Sequence, residues 1–424
     1  MVHTGVNSGS FEDASENLDQ IGEAKISPGR IRRATERIGD ERVHERDKLV
    51  EQWQDLPLPQ QQKSPTADVP EVACVQMDGG RLQIFDRHGE EDDGADADAA
   101  EQEGDADSPK TPWRESKVGV LLSMRSEESP SDPCPTIPQT FVDPQRIDRL
   151  SREIKSAGKK RPQASGPNAV AAQQEAAELE AALEAVVASK EAAVEEAIRY
   201  KPPKIAEKTV VATQQDVTRF GPILASTAWQ LGFAGSARKA FLGDGSETNW
   251  GVWRRYFSHY TPILDFVHAI CYVYHAAMAG LPAEEAWETY CQWAQWVWSG
   301  KVKLVIDALA TRLSEMDKPA GDVPDSHPYK TVATALGYLR NQQSRMKYDQ
   351  YRQKGLPITS SHVESTIKQI NRRVKGTEKF WNRFGAETLL QLVADTISET
   401  GQIEKFWKNK QANADGQRHY RTAA

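Results

Sequence analysis

The stretch Lys239-Ala-Phe-Leu-Gly-Asp244-Gly-Ser-Glu-Thr-Asn-Trp250, with its continuation Tyr260-Thr-Pro-Ile-Leu-Asp265-Phe-Val-His268, decides how the chain is read. An apolar run over residues 240–242 stops at Gly-Asp-Gly, the pattern of a buried strand that ends in a sharp turn. Helix-compatible residues 247–257 follow, and a second apolar pair, Ile263 and Leu264, again stops on an acid, Asp265. Strand, helix, strand is a βαβ unit, whose parallel strands bring Asp244 and Asp265 to one edge of the sheet. Open α/β sheets bind their ligands at that edge.

With 424 residues, 38% of them hydrophobic, the chain has room for two or three domains and a sizeable core. No run approaches the roughly 20 apolar residues of a membrane span, and residues 1–10 lack the basic and apolar regions of a secretory signal. These features predict a soluble, cytoplasmic protein with no membrane partner. Cys74, Cys134, Cys271 and Cys291 are isolated, with neither zinc spacing nor a disulfide framework, and read as buried thiols. The net charge of −8 is uneven: residues 89–107 carry −10 and residues 168–200 carry −5, which leaves +7 for the rest. A basic remainder permits a nucleic-acid partner that the total charge argues against.

Residues 1–67 read as a polar region holding one basic helix over 28–53 (Arg30, Arg32, Arg33, Arg37, Arg42), either solvated or a DNA-contacting arm. The core is expected over 68–268. Its first strand, 72–77, ends on Asp78-Gly79-Gly80 and resumes as 81–85, the pattern of a hairpin. Residues 117–124 supply a third antiparallel strand. Two insertions interrupt the core: an acidic one at about 89–110, too charged to pack, and an alanine- and glutamate-rich helix at about 168–200. Helices are also expected over 144–155 and 216–231. A helical insertion follows over 269–355, with helices at 267–279, 283–298, 302–313 and 329–351. Its Trp287, Tyr290, Trp293, Ala294 and Val297 recur at helical spacing, as core or as a base-stacking surface. Residues 356–408 contain a capped helix beginning Ser361-His-Val-Glu364, with a basic face behind it, and 409–424 form a polar tail.

A three-strand meander followed by helix, strand, helix, strand is the order of a ribonuclease-H-like mixed sheet. That fold brings Asp78 close to Asp244, and the helix carrying Glu364 packs across the sheet. Three converging carboxylates suit Mg²⁺ or Mn²⁺, two ions in a phosphodiester-processing site. Each acid also has a plainer reading. Asp78 could be a hairpin turn residue, Asp244 a turn or N-cap residue, and Glu364 the reciprocal member of a capping box with Ser361.

The blocks Met77-Asp78-Gly79-Gly80-Arg-Leu-Gln-Ile, Gly243-Asp244-Gly245-Ser, Asp265-Phe-Val-His268, and 358–364 with 375–381 resemble the ISKra-type insertion-sequence transposases, relatives of the Mutator-like group with a DDE core. The resemblance runs from about Val72 to the C-terminus. It implies Asp78, Asp244 and Glu364 as catalytic metal ligands, and it matches Asp265 and His268 to the family's Asp/Cys-x-x-His signature. His268 is then a supporting residue, since hard Mg²⁺ prefers oxygen. Members of the group usually carry a longer N-terminal region, often with metal-binding cysteines, for recognising element ends. Here about 70 residues precede the first expected strand and none is cysteine, so the resemblance supports catalysis more than end recognition.

The expected function is therefore that of an insertion-sequence transposase: metal-dependent cleavage at an element end, then attack of the exposed 3′-hydroxyl on target DNA. Its partners would be element ends and target DNA, bound by a homo-oligomer in a prokaryotic, nucleoid-associated setting. Lys368, Arg372, Arg373, Lys375 and Lys379 are the expected phosphate-binding cations. The rival readings are a nuclease of the same fold without strand transfer and a non-catalytic DNA-binding protein derived from a transposase.

Overall fold

The computed structural model describes residues 1–84, 113–157, 201–319, 321, 323–376 and 379–413. The acidic insertion, the alanine-rich helix and the tail beyond 413 lie outside the described residues. The protein is of the mixed α/β type, and it divides into two compact units. One comprises Met1–Arg125, Lys204–Pro262 and Ser360–Ala424; the other comprises Ser126–Pro203 and Ile263–Thr359.

Among the described residues the sheet has six strands: β1 (Val72–Ile84), β2 (Trp113–Arg125), β3 (Lys204–Thr213), β4 (Arg238–Gly243), β5 (Thr261–Leu264) and the short β6 (Phe380–Trp381). Their order is β3-β2-β1-β4-β5, with β6 paired to β1. β1 and β2 are antiparallel, as are β2 and β3, whereas β4 runs parallel to β1 from Val72 opposite Arg238 to Gln76 opposite Leu242. The first strand thus lies in mid-sheet beside the fourth, as expected. Residues 72–77 are buried without alternation, the mark of a strand covered on both faces.

The hairpin expected at Asp78-Gly79-Gly80 does not form. β1 runs straight through it, because β2 is equally long and pairs Asp78 with Val118, Gly79 with Lys117 and Gly80 with Ser116. Neither glycine takes the positive φ that a two-residue hairpin turn demands. Asp78 is therefore a mid-strand residue. The third strand of the meander is β3, whose Thr-Val-Val-Ala-Thr run (209–213) is the β-branched signal that sequence reasoning passed over.

The N-terminal 67 residues belong to the sheet's unit and do not form a separate arm. They fold into α1 (Val2–Asn7), α2 (Phe11–Gly22), α3 (Pro28–Gln54) and α4 (Leu58–Gln61). α3 buries Ile31, Thr35, Ile38, Gly39, Arg42, Arg46 and Trp53, a stripe at helical spacing. Two arginines within that stripe hide it from hydropathy. The same unit contains α6 (Val217–Gln230), α7 (Glu247–Tyr256), α13 (Ser361–Val374), α14 (Arg383–Ile397) and α15 (Gln402–Ala412). α14 is buried on every side over residues 385–395 and packs on α3, where Arg42 Nε lies 2.8 Å from Asp395 Oδ2.

The second unit is helical: α5 (Pro144–Ala157), α8 (Phe266–Met278), α9 (Ala283–Trp298), α10 (Val302–Glu315), α11 (Pro328–Gln342) and α12 (Tyr348–Gln353). Tyr290, Trp293, Ala294 and Val297 are core residues, as the plainer reading of the aromatic repeat requires. The helix expected over 329–351 breaks after Gln342. Met346 and Tyr348 are both fully buried, and one uninterrupted helix would point them to nearly opposite sides. The coil before α5 is pinned to this unit: Trp298 Nε1 donates to the Cys134 carbonyl at 2.6 Å, and Arg352 Nε donates to Asp132 at 2.9 Å.

Candidate active site

β1 presents Gln76, Asp78 and Gly80 on one face, since alternate residues of a strand point the same way. α13 lies along that face. Gln76 Oε1 accepts the backbone N–H of Val363 at 3.2 Å, and a Cβ on Gly80 would lie 3.8 Å from Ile367 and 4.0 Å from Asn371. Asp78 therefore sits beneath the helix between its first and third turns, with Glu364 immediately after Val363. The tight neighbour at position 80 is the Ser116 hydroxyl of β2, 2.7 Å from where a Cβ would lie, so a side chain there would press on β2 and not on the helix.

The capping box expected for this helix is absent. The N-cap residue is Ser360, one position earlier than the motif suggested, so Ser361 is already helical and cannot cap. Ser360 does not cap with its side chain either; the Val363 N–H is shared between the Ser360 carbonyl at 3.0 Å and Gln76 Oε1 on the strand at 3.2 Å. The capping box of Ser361 with Glu364 is thus not the geometry of this helix end.

Asp244 follows the last residue of β4, two positions beyond Leu242, and Asp78 stands two positions beyond Gln76, the partner of Leu242. Asp244 Oδ1 accepts from the Ser246 N–H and from Asn249 Nδ2, both at 2.9 Å. The turn depends on Gly245, whose φ of 102° suits glycine alone. Asn249 is buried in the first turn of α7, and its Nδ2 also lies 3.4 Å from the carbonyl of Met77 on β1. Asp78 Oδ1 accepts the N–H of Gly79 at 2.7 Å.

Asp265 follows the last residue of β5 and caps α8, accepting the Val267 N–H at 2.6 Å. His268 Nδ1 lies 3.5 Å from Asp265 Oδ2. In the same unit Tyr348 donates to the Leu264 carbonyl at 2.9 Å and steadies the chain just before Asp265.

The expected cations divide. Lys368, Arg372 and Lys375 are exposed, with the Lys375 ammonium 5.8 Å from the centre of the Trp113 ring. Arg373 is buried. Its Nε and Nη2 donate to the carbonyl of Gly5 at 3.1 and 2.8 Å, and its guanidinium lies over Phe11 and Trp381 at 4.7 and 5.4 Å. Burial lowers its pKa to about 10. It fastens α1 to α13 and is unavailable to phosphate. Lys379 is half-buried, and its Nζ donates to the carbonyls of Arg372 and Arg373 at 3.1 and 3.2 Å.

Sequence reasoning missed Gln76 and Asn249. The signal for Gln76 was an amide inside an otherwise apolar strand; for Asn249 it was an amide one helical turn beyond Asp-Gly-Ser. No described helix is long and apolar enough to cross a membrane. Neither a protein-family model nor a curated protein matches the chain.

Proposed function

We propose that the protein is a DDE-type transposase resembling the ISKra group, with a ribonuclease-H-like core that cuts DNA at an element end and joins the 3′-hydroxyl to target DNA. The sheet order β3-β2-β1-β4-β5, antiparallel across its first three strands and parallel at β1 and β4, supports that fold. The observation that carries the reading is the approach of three acid-bearing segments: Asp78 on β1, Asp244 at the end of the neighbouring parallel strand, and Glu364 on the helix lying over Asp78.

Asp78, Asp244 and Glu364 form an all-oxygen donor set, which fits Mg²⁺ or Mn²⁺. When bound, such ions activate an attacking hydroxyl and steady the leaving oxygen of an in-line displacement at phosphorus. The chain's own contribution is charge and position. The carboxylates supply three negative charges, from β1, the turn after β4 and α13, and the exposed Lys368, Arg372 and Lys375 on or just beyond the same helix attract the phosphates that those acids would repel. Asp265 holds its backbone cap and faces His268, which suits a supporting pair.

The test is incubation with Mg²⁺ and a duplex DNA end taken from the flanks of the gene, scoring nicks and joined products. Both products are expected. Nicks without joining would favour the nuclease reading, and neither product would remove the catalytic one.

A further inference from the structure

Two side-chain amides, Gln76 and Asn249, lie among the acids and are only 0% and 5% exposed. Burying an amide is costly unless it is hydrogen-bonded, so each must return its cost through a specific contact. Both contacts involve β1. Gln76, on that strand, accepts the N–H of Val363, the residue before Glu364, at 3.2 Å. Asn249 donates to the Asp244 carboxylate at 2.9 Å and lies 3.4 Å from the carbonyl of Met77, the residue before Asp78.

We infer that Gln76 and Asn249 are positioning residues, two amide struts that tie the Glu364 helix and the Asp244 turn to the strand carrying Asp78; this rests on the reading given under Proposed function. An amide suits the task because it can donate and accept without adding charge. An acid at either position would put a fourth negative charge beside three carboxylates. A lysine at either position would compete with the cation. An apolar residue of similar size would fill the space and leave the helix and the turn untied. The two struts work at different ends of the site, Gln76 as the acceptor at the start of α13 and Asn249 as the donor that fixes the rotamer of Asp244. Partners of this kind that orient ligands are worth about 10- to 100-fold in metal affinity or activity.

The experiment uses the full chain and its Gln76→Met, Gln76→Glu and Asn249→Leu variants, with thermal melts to establish folding. Mn²⁺ affinity is followed by electron paramagnetic resonance and amide hydrogen exchange by NMR. Gln76→Met leaves the Val363 amide only its bond to the Ser360 carbonyl, at 3.0 Å, so that amide should exchange faster than in the wild type, and Mn²⁺ binding should weaken about 10- to 100-fold. Gln76→Glu keeps an acceptor and should restore protection of Val363. Asn249→Leu should weaken Mn²⁺ binding to a similar degree while Val363 stays protected. Unchanged Mn²⁺ affinity in Gln76→Met and Asn249→Leu would overturn the inference. If either variant fails to fold, the wild type decides: rapid exchange of the Val363 amide and of the Asn249 side-chain amide would overturn it. A wild type that neither binds Mn²⁺ nor nicks DNA would instead defeat the underlying reading, and exchange would still judge the ties themselves.

Discussion

Arg46 of α3 and Glu387 of α14 form a buried ion pair, with Nη1 2.9 Å from Oε1. Glu387 also accepts the Thr213 hydroxyl at 2.7 and 2.9 Å and the Gln214 N–H at 2.9 Å, so one carboxylate joins an N-terminal helix, a C-terminal helix and the end of β3. Removing Glu387 would leave Arg46 with Asp47 and Gln391 and strip Thr213 and Gln214 of their acceptor; losing one partner of a buried pair costs about 3–5 kcal/mol. Glu387→Ala should show a loss of that size in chemical denaturation. Arg46→Met should cost less, because Glu387 keeps its bonds to Thr213 and Gln214. A Glu387→Ala variant within 1 kcal/mol of wild type, a threshold well below the expected range, would disprove the pairing.

Gly39 faces the same helix at close quarters: a Cβ there would lie 2.5 Å from the carbonyl oxygen of Thr388. In an exposed helix Gly→Ala gains about 1 kcal/mol in propensity. Here the backbone contact should reverse that sign, and overpacking typically costs about 1–3 kcal/mol. Gly39→Ala is expected to melt below the wild type; a higher melting temperature would mean that α3 does not pack on Thr388.

The cysteines should react in order of burial. Cys74 on β1 is fully buried, and burial pushes its thiol pKa up to about 12, so almost no thiolate forms near neutral pH. Cys291 is only half-buried, though burial raises its pKa as well. Iodoacetamide at about pH 8, close to the ordinary thiol pKa, should label Cys291 before Cys74 and reach Cys74 only on unfolding. Mass spectrometry of labelled peptides reads the result, and early labelling of Cys74 would contradict the burial of β1.

The basic face of α13 makes a two-sided prediction. Lys368→Gln with Arg372→Gln should flatten the salt dependence of DNA binding by about one unit of log–log slope per lost contact, with little loss of stability. Arg373→Gln should instead lower the melting temperature, since it removes the bonds to Gly5 and the stacking on Phe11 and Trp381. An unchanged slope in the first variant would remove those cations from the DNA contact.

Much of this was legible from periodicity. α9 begins and ends at Ala283 and Trp298, and α6, α7 and α8 lie within a residue or two of the expected spans, because their apolar stripes or caps stand out locally; α3 does so too, with Pro28 opening it. The failures share a cause. Asp78-Gly79-Gly80 carries turn chemistry, but the long ladder with β2 overrides it, and no local pattern reports a partner some 40 residues away. Arg42, Arg46 and Arg373 look like solvated cations until their buried partners Asp395, Glu387 and the Gly5 carbonyl are known. Ser361 resembles an N-cap in sequence, whereas the side-chain acceptor at this helix end comes from Gln76 on a distant strand. Pairings across long sequence separation decide such sites.

The central claim, that Asp78, Asp244 and Glu364 act together on DNA through a divalent cation, is tested most directly by Glu364→Gln in a Mg²⁺ nicking and joining assay. Asp78→Asn and Asp244→Asn serve as companions, and Ser361→Ala as the control. Glutamine keeps the shape of glutamate but not the charge a hard cation requires. The account predicts a normally folded Glu364→Gln with neither nicks nor joined products, the same for both aspartate variants, and an active Ser361→Ala. A Glu364→Gln protein that nicks and joins DNA at the wild-type rate would contradict it.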